Sequence, residues 1–230
     1  MQKKVTPEIT KQTRFLPDAL LYQPNYSPWL AEDSDFSRLK QQIDSFTLVS
    51  SDRLWTLHSL AQQATKLKGE FWECGVYKGG TAYLLAHVAA AKNTLQLFDT
   101  FIGMPKTHPE YDHHRQGDFA DTSLTSVQDR LSAFSNIKFN QGFIPDTFTE
   151  HQQCRIAFAH IDVDIYQSVF DCCSFIYPRL VSGGIMVFDD YGFPSCPGAR
   201  KAVDLFFSDK AEVPLVLATG QAIVIKLPEI

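Results

Sequence analysis

Two hydrophobic rhythms alternate along this chain. From Phe36 to Leu48 and from Arg53 to Leu67 the apolar residues recur every three or four positions. Leu54, Leu57, Leu60, Ala61 and Ala64 mark one side of the second stretch, the spacing of an amphipathic helix. Gly69-Glu70-Phe71-Trp72-Glu73-Cys74 then reads as a short strand and Gly75 to Gly80 as a turn. Thr81 to Ala91 reads as an alanine- and leucine-rich helix, and Thr94 to Phe98 as a second strand. Strand, turn, helix and strand in about 30 residues is a βαβ unit. The pattern continues with a helix over Ser123 to Phe134 and a strand over Ile137 to Gln141 that ends at Gly142. Ile156 to Ile161 is almost wholly apolar, as a central parallel strand covered on both faces must be. A helix over Tyr166 to Leu180, a buried strand over Gly184 to Phe188 and a helix over Pro197 to Phe207, opened by its proline, come next. Val213 to Ala218 and Ala222 to Lys226 flank the turn Thr219-Gly220-Gln221 as closing strands. The alternation predicts an α/β doubly wound, mostly parallel sheet with a hairpin-like finish.

Two stretches break the rhythm. Residues 1 to about 34 carry Pro7, Pro17, Pro24 and Pro28 without clean periodicity, and read as an arm or cap. Thr100 to Thr122 holds Gly103, Pro105, Pro109, Gly117 and three of the seven histidines, His108, His113 and His114. A segment this long without periodicity is usually functional or mobile. Its histidines read as loop residues that could offer a base or an acceptor contact.

Composition narrows the classes. At 230 residues the chain suits one domain, or one domain with an appendage. It has 26 acidic against 21 basic residues, a net charge of -5, which argues against a nucleic-acid footprint. No apolar run approaches the roughly 18 residues of a membrane helix, and no apolar stretch follows the basic opening as a secretory leader needs. The five cysteines contain no C-x-x-C pair and read as reduced thiols of a cytoplasmic protein.

Candidate chemistry gathers where strands end. Glu73-Cys74-Gly75-Val76-Tyr77-Lys78-Gly79-Gly80 leaves a strand and opens a helix, where parallel α/β folds place ligands. Glu73 stands where a dinucleotide motif has its first glycine. A carboxylate there repels pyrophosphate and suits the ammonium of S-adenosylmethionine, which favours that cofactor over NAD. Asp99, at the tip of the next strand, has the position of a ribose-binding acid. His160-Ile161-Asp162-Val163-Asp164 and Phe188-Asp189-Asp190-Tyr191 each follow a buried strand. Neighbouring strands lie about 4.8 Å apart, so Asp162, Asp189 and Asp190 can converge. Three carboxylates together need neutralising, and magnesium or another hard divalent cation does so through oxygen ligands. Asp164, directly before a helix, reads as a cap.

Four motifs in order carry a family resemblance. They are Phe71 to Gly80, Phe98-Asp99-Thr100-Phe101-Ile102-Gly103-Met104-Pro105, His160 to Tyr166 and Phe188 to Gly192. Over Gly69 to Lys226 the chain resembles the macrocin O-methyltransferases, metal-dependent enzymes that methylate sugar hydroxyls with S-adenosylmethionine. The resemblance implies a class I methyltransferase sheet of seven strands, the last antiparallel. It implies that Glu73 and Gly75 meet the methionine part of the cofactor, Asp99 the ribose, and Gly142 and Phe143 the adenine. Asp162, Asp189 and Asp190 match the metal positions. Residues 1–68 would shape the acceptor pocket and 69–230 the cofactor-binding core. The implied reaction activates a hydroxyl beside magnesium, with Asp162 taking the proton and the 100–122 segment closing to exclude water. The acceptor is then a small molecule, most simply a natural-product sugar, and the arm leaves room for a homo-oligomer. A catechol-type phenol needs the same acids, so that acceptor stays open, as does a nucleotide-binding or scaffolding role without turnover. A dehydrogenase fits poorly, for the charge reason above.

Overall fold

The computed structural model describes residues 27–32, 34–90 and 92–228. The expected arm over residues 1 to 34 therefore falls largely outside the described residues. Among these residues, seven strands run β1 (Glu70–Cys74), β2 (Leu95–Asp99), β3 (Ile137–Gln141), β4 (Ile156–Ile161), β5 (Leu180–Phe188), β6 (Leu215–Val216) and β7 (Ala222–Ile225). Among the described residues, six α-helices run α1 (Asp35–Ile43), α2 (Ser51–Ala64), α3 (Gly80–Ala89), α4 (Leu124–Arg130), α5 (Tyr166–Ile176) and α6 (Pro197–Phe207). The strands form one sheet in the order β3-β2-β1-β4-β5-β7-β6. β1 to β5 pair in parallel, and β7 runs antiparallel to both β5 and β6. The strand order reverses between β1 and β4, and that switch point is where open α/β sheets form a crevice.

Strand alternation divides the core in two. Phe71, Leu97, Phe158 and Val187 face the layer built by α1, α2 and α3, where Phe36, Leu39, Ile43, Leu54, Leu57 and Leu84 are buried. Trp72, Phe98, Met186 and Phe188 face the layer that holds Val169, Cys172 and Ile176 of α5 and Ala202, Val203 and Phe207 of α6. The helices at 35–64 thus cover one face of the sheet.

Several boundaries differ from expectation. The helix expected over Tyr166 to Leu180 stops at Ile176 and tightens into a 3-10 turn at Tyr177–Arg179, because Pro178 cannot donate to a helical ladder. β5 starts at Leu180, earlier than Gly184, and pairs with Ile156 at that point. The strand expected over Val213 to Ala218 shortens to Leu215–Val216, an exposed edge with Pro214 just before it. Among the described residues, no helix is long and apolar enough to cross a membrane.

Candidate active site

The parallel ladder runs one residue past three strand ends. The N–H of Gly75 donates to Phe98 O (2.9 Å), that of Asp162 to Cys74 O (2.9 Å) and that of Asp189 to Ile161 O (3.0 Å). These bonds set the glycine turn, Asp162 and Asp189 side by side at the switch point. Gly75 has φ +85°, and a Cβ there would meet the backbone oxygen of Asp162 at 1.8 Å. Only glycine allows that approach. The turn is held from below by Asp99. Its Oδ2 accepts the N–H groups of Val76 (2.7 Å) and Tyr77 (3.0 Å), and its Oδ1 accepts that of Phe101 (2.7 Å).

Above these strand ends lies a cavity of about 340 Å³, within the range of small-molecule sites. Gly75, Asp99, Gly142, Phe143, Asp162, Asp189 and Asp190 all line it. Of the residues expected at the site, Glu73 is the one that does not. Its carboxylate is fully buried beneath the turn, on the face of the sheet it shares with Phe71. Glu73 Oε1 lies 3.0 Å from His160 Nδ1, and Oε2 has no hydrogen-bond partner among the described residues. The structure therefore shows Glu73 as a partner of His160, one layer behind the wall where a ligand ammonium was expected to meet it.

The acids at the tips of β4 and β5 divide into neutralised and unneutralised groups. Asp189 is fully buried, with an ion pair to Arg53 of α2 and a hydrogen bond from Gln221 Nε2 (2.7 Å). His160 Nε2 stands 3.6 Å from Asp189 Oδ1, too long for a hydrogen bond yet close enough for a strong charge interaction. Burial would raise the Asp189 pKa, but His160, Arg53 and Gln221 outweigh it and the carboxyl stays ionised. Burial alone would lower His160, but the carboxylates of Asp189, Glu73 and Asp162 raise it to about 10. Asp162, partly exposed at the wall, accepts no side-chain hydrogen bond among the described residues. Burial, then the charge of Asp189, pushes its pKa well above the usual carboxylate range. Burial and the charges of Asp164, Asp162 and Asp189 do the same to Asp190.

Ligand atoms of His160, Asp162 and Asp189 all lie within 4.8 Å of one another. The convergence expected of Asp162, Asp189 and Asp190 thus takes a different form. Asp162 and Asp189 meet beside His160, while Asp190 turns one oxygen to the N–H of Asp164 (3.0 Å). Asp164 is not the cap it was expected to be. Residue 165 takes the N-cap position, without a side-chain cap bond. The first helical N–H, of Tyr166, donates instead to Asp112 Oδ1 (2.8 Å), from the 100–122 segment. That segment is seated on the glycine turn by Thr122 Oγ1, which donates to Tyr77 O (2.5 Å), and by Tyr77 and Lys78, which both reach Asp121.

A family model described as Macrocin-O-methyltransferase (TylF) matches residues 32–217. The chain belongs to the macrocin O-methyltransferase family. With the family comes its reaction class, S-adenosylmethionine-dependent O-methyl transfer. One relative, a mycinamicin III 3''-O-methyltransferase of Micromonospora griseorubida, is 30% identical over 68% of this chain and 68% of its own length. Another, the 8-demethyl-8-(2,3-dimethoxy-alpha-L-rhamnosyl)-tetracenomycin-C 4'-O-methyltransferase of Streptomyces olivaceus, is 28% identical over 66% of this chain and 65% of its own. The solved structure of the O-methyltransferase NovP superposes with a TM-score of 0.70 at 22% identity, covering 79% of this chain and 82% of that one, and so shares the fold.

Within this macrocin O-methyltransferase, the residue that sequence reasoning passed over is Arg53. Its sequence context marks only the start of a helix. A cation in the first turn of a helix opposes the helix dipole, so a basic residue there needs another reason. Here the reasons are Asp189, Leu48 O (3.2 Å), Ser50 Oγ (3.2 Å) and the face of Phe193, whose centroid is 4.7 Å away. Gln221 was read only as a turn residue, and no local pattern marks its reach to Asp189.

Proposed function

We propose that this chain methylates a hydroxyl of a small molecule, a sugar of a natural product, with S-adenosylmethionine as donor and magnesium as the divalent ion. The observation that carries the reading is the pair Asp162 and Asp189. The two meet at the wall of the cavity that Gly75, Asp99, Gly142 and Phe143 also line. The sugar acceptor rests on the relatives, one of which is named for a rhamnosyl-bearing substrate.

The residues present fit both groups. Gly75 supplies a turn that a ligand can approach closely, and its neighbours Val76 and Tyr77 are pinned by Asp99. Each oxygen of a carboxylate has two lone pairs, so three backbone bonds leave Asp99 room for a ribose hydroxyl. Phe143 offers an exposed ring for the adenine beside Gly142, where a Cβ would meet Thr147 Cγ2 at 2.8 Å. Asp162 and Asp189 would hold the ion through hard oxygen donors, with Asp190 adding negative charge nearby. The bound ion supplies acidity to the acceptor hydroxyl. Asp162, which lacks a proton donor of its own and faces the cavity, takes the hydroxyl proton. The acceptor oxygen then forms a bond to the methyl carbon as the carbon–sulfur bond breaks, releasing S-adenosylhomocysteine. The stretch before α2 contributes to the acceptor side through Phe46, Leu48 and Val49, which line the same cavity. Catalysis of this kind is mostly positioning and electrostatics, because the donor methyl is already activated.

A side-by-side assay tests the acceptor. The protein is incubated with S-adenosylmethionine, magnesium and either a deoxysugar glycoside bearing free neighbouring hydroxyls or a catechol, and S-adenosylhomocysteine is measured. Turnover of the glycoside supports the sugar reading. Turnover of the catechol alone replaces it with the phenol reading, and no turnover of any hydroxyl substrate returns the chain to a binding role.

A further inference from the structure

Neutralising Asp189 occupies only part of Arg53. Its guanidinium stands at the cavity wall, with 12% of the side chain exposed. Two regions meet there. On one side, Nη2 donates to Leu48 O (3.2 Å) and Nε to Ser50 Oγ (3.2 Å), in the stretch that also brings Leu48 and Val49 to the cavity. On the other side, Nη1 donates to Asp189 Oδ2. Arg53 thus joins the acceptor-side wall to the acids at the strand tips.

A guanidinium carries five N–H donors in a planar fork. Three are taken by these partners. Among the described residues, one N–H of Nη1 and one of Nη2 have no acceptor. Buried donors in folded proteins are nearly always paired, so two left over at a cavity wall are positions for the acceptor atoms of a ligand. The fork is also held in place. The Phe193 ring lies against it, with its centroid 4.7 Å from Cζ, and lines the same cavity. A planar fork fixed in this way loses little freedom on gaining a further hydrogen bond. Asp189 keeps room for other partners, because Arg53 meets Oδ2, Gln221 meets Oδ1, and each oxygen has a second lone pair. An acceptor whose reacting hydroxyl lies against Asp162 and Asp189 brings the oxygen on its adjoining carbon to the guanidinium beside them.

We propose that Arg53 binds the methyl acceptor and selects it: its two free N–H groups donate to an oxygen on the carbon next to the methylated position. The acceptor class is then a compound with two neighbouring oxygens, and a guanidinium, which only donates, takes no proton from the second one. The inference rests on the methyl-transfer reading. No bond forms or breaks at Arg53.

The test compares two acceptors, a glycoside with two neighbouring hydroxyls and its analogue lacking the oxygen next to the methylated position. S-adenosylhomocysteine release at saturating magnesium gives kcat and KM for each. Wild-type protein should favour the full acceptor at least about tenfold in kcat/KM, chiefly through KM. In Arg53→Met that preference should be lost, while calorimetric affinity for S-adenosylhomocysteine stays at the wild-type value. Arg53→Lys keeps the charge without the fork and should show a preference between the two, which carries the test if the methionine variant fails to fold. An undiminished preference in either variant overturns the inference and leaves the methyl-transfer reading standing, because another group then reads that oxygen. Equal losses of kcat/KM for both acceptors also overturn it, since a purely structural role does the same. No turnover of either acceptor by wild-type protein overturns the reading and the inference together.

Discussion

The tips of β1 and β2 and the tips of β4 and β5 treat carboxylates in opposite ways. At the first pair, Asp99 receives three backbone N–H groups and one oxygen of Glu73 meets His160, so the protein's own donors engage both carboxylates. At the second pair only Asp189 is matched, by Arg53, Gln221 and His160, while burial and neighbouring acids disfavour the ionised forms of Asp162 and Asp190. Burying such charge without a partner costs several kcal/mol per ion. The first pair of tips is therefore a scaffold that shapes a backbone cradle. The second is a place that something positive or proton-bearing completes. In the proposed function, the carboxyl ends of the strands supply both halves of a two-substrate site.

The sharpest break of this contrast is Asp162→Asn. Losing a general base lowers rates by about 10²–10⁴-fold, so kcat should fall that far while calorimetric affinity for S-adenosylhomocysteine is unchanged. Lost cofactor binding would show instead that Asp162 serves the scaffold. Gly75→Ala should act on the scaffold alone. Its Cβ meets Asp162 O at 1.8 Å and its φ of +85° is strained for alanine, so stability should drop by about 3 kcal/mol or more. Thermal unfolding should then shift by roughly 6–12 °C, and an unshifted melt would mean that the turn and β4 are not locked together. Asp99→Asn puts an NH2 group against backbone donors and should cost about 1–3 kcal/mol, with weaker cofactor binding. Equal cofactor affinity in that variant would remove Asp99 from the cradle. The smallest effect is expected from Arg53→Met. Without its guanidinium, Asp189 keeps only Gln221 and His160 against its charge, and magnesium affinity should rise about tenfold by calorimetry. Weaker magnesium binding would place Arg53 among the groups that build the ion site rather than compete with it.

Much of this was legible in the sequence because the signals are local. The buried run Ile156 to Ile161 and the strand Gly184 to Phe188 announce neighbouring central strands, so acids just past their ends had to be close. The turn from Gly75 to Gly80 announces a cradle in the same way. What the sequence hid are directions and distant partners. Glu73 shares strand parity with Phe71, a signal that it faces the helical layer, yet its motif position suggested a ligand. Asp190 follows Asp189 directly, so their side chains diverge, and the meeting of Asp162 with His160 depends on the register of β4 against β5. Arg53 is 136 residues from Asp189, beyond any local pattern. The cap on α5 comes from Asp112 because the chain turns through the left-handed conformation at Asp164 and aims that carboxylate at the cavity.

The central claim is that the acids at the β4 and β5 tips work through a divalent ion. Methyl transfer to the glycoside acceptor is measured in wild-type protein stripped with chelator and then titrated with magnesium. The account expects turnover to vanish on stripping and to return with magnesium, and expects Asp189→Ala to stay inactive at every magnesium concentration while still binding S-adenosylhomocysteine. Undiminished turnover in excess chelator, or a fully active Asp189→Ala, would contradict it.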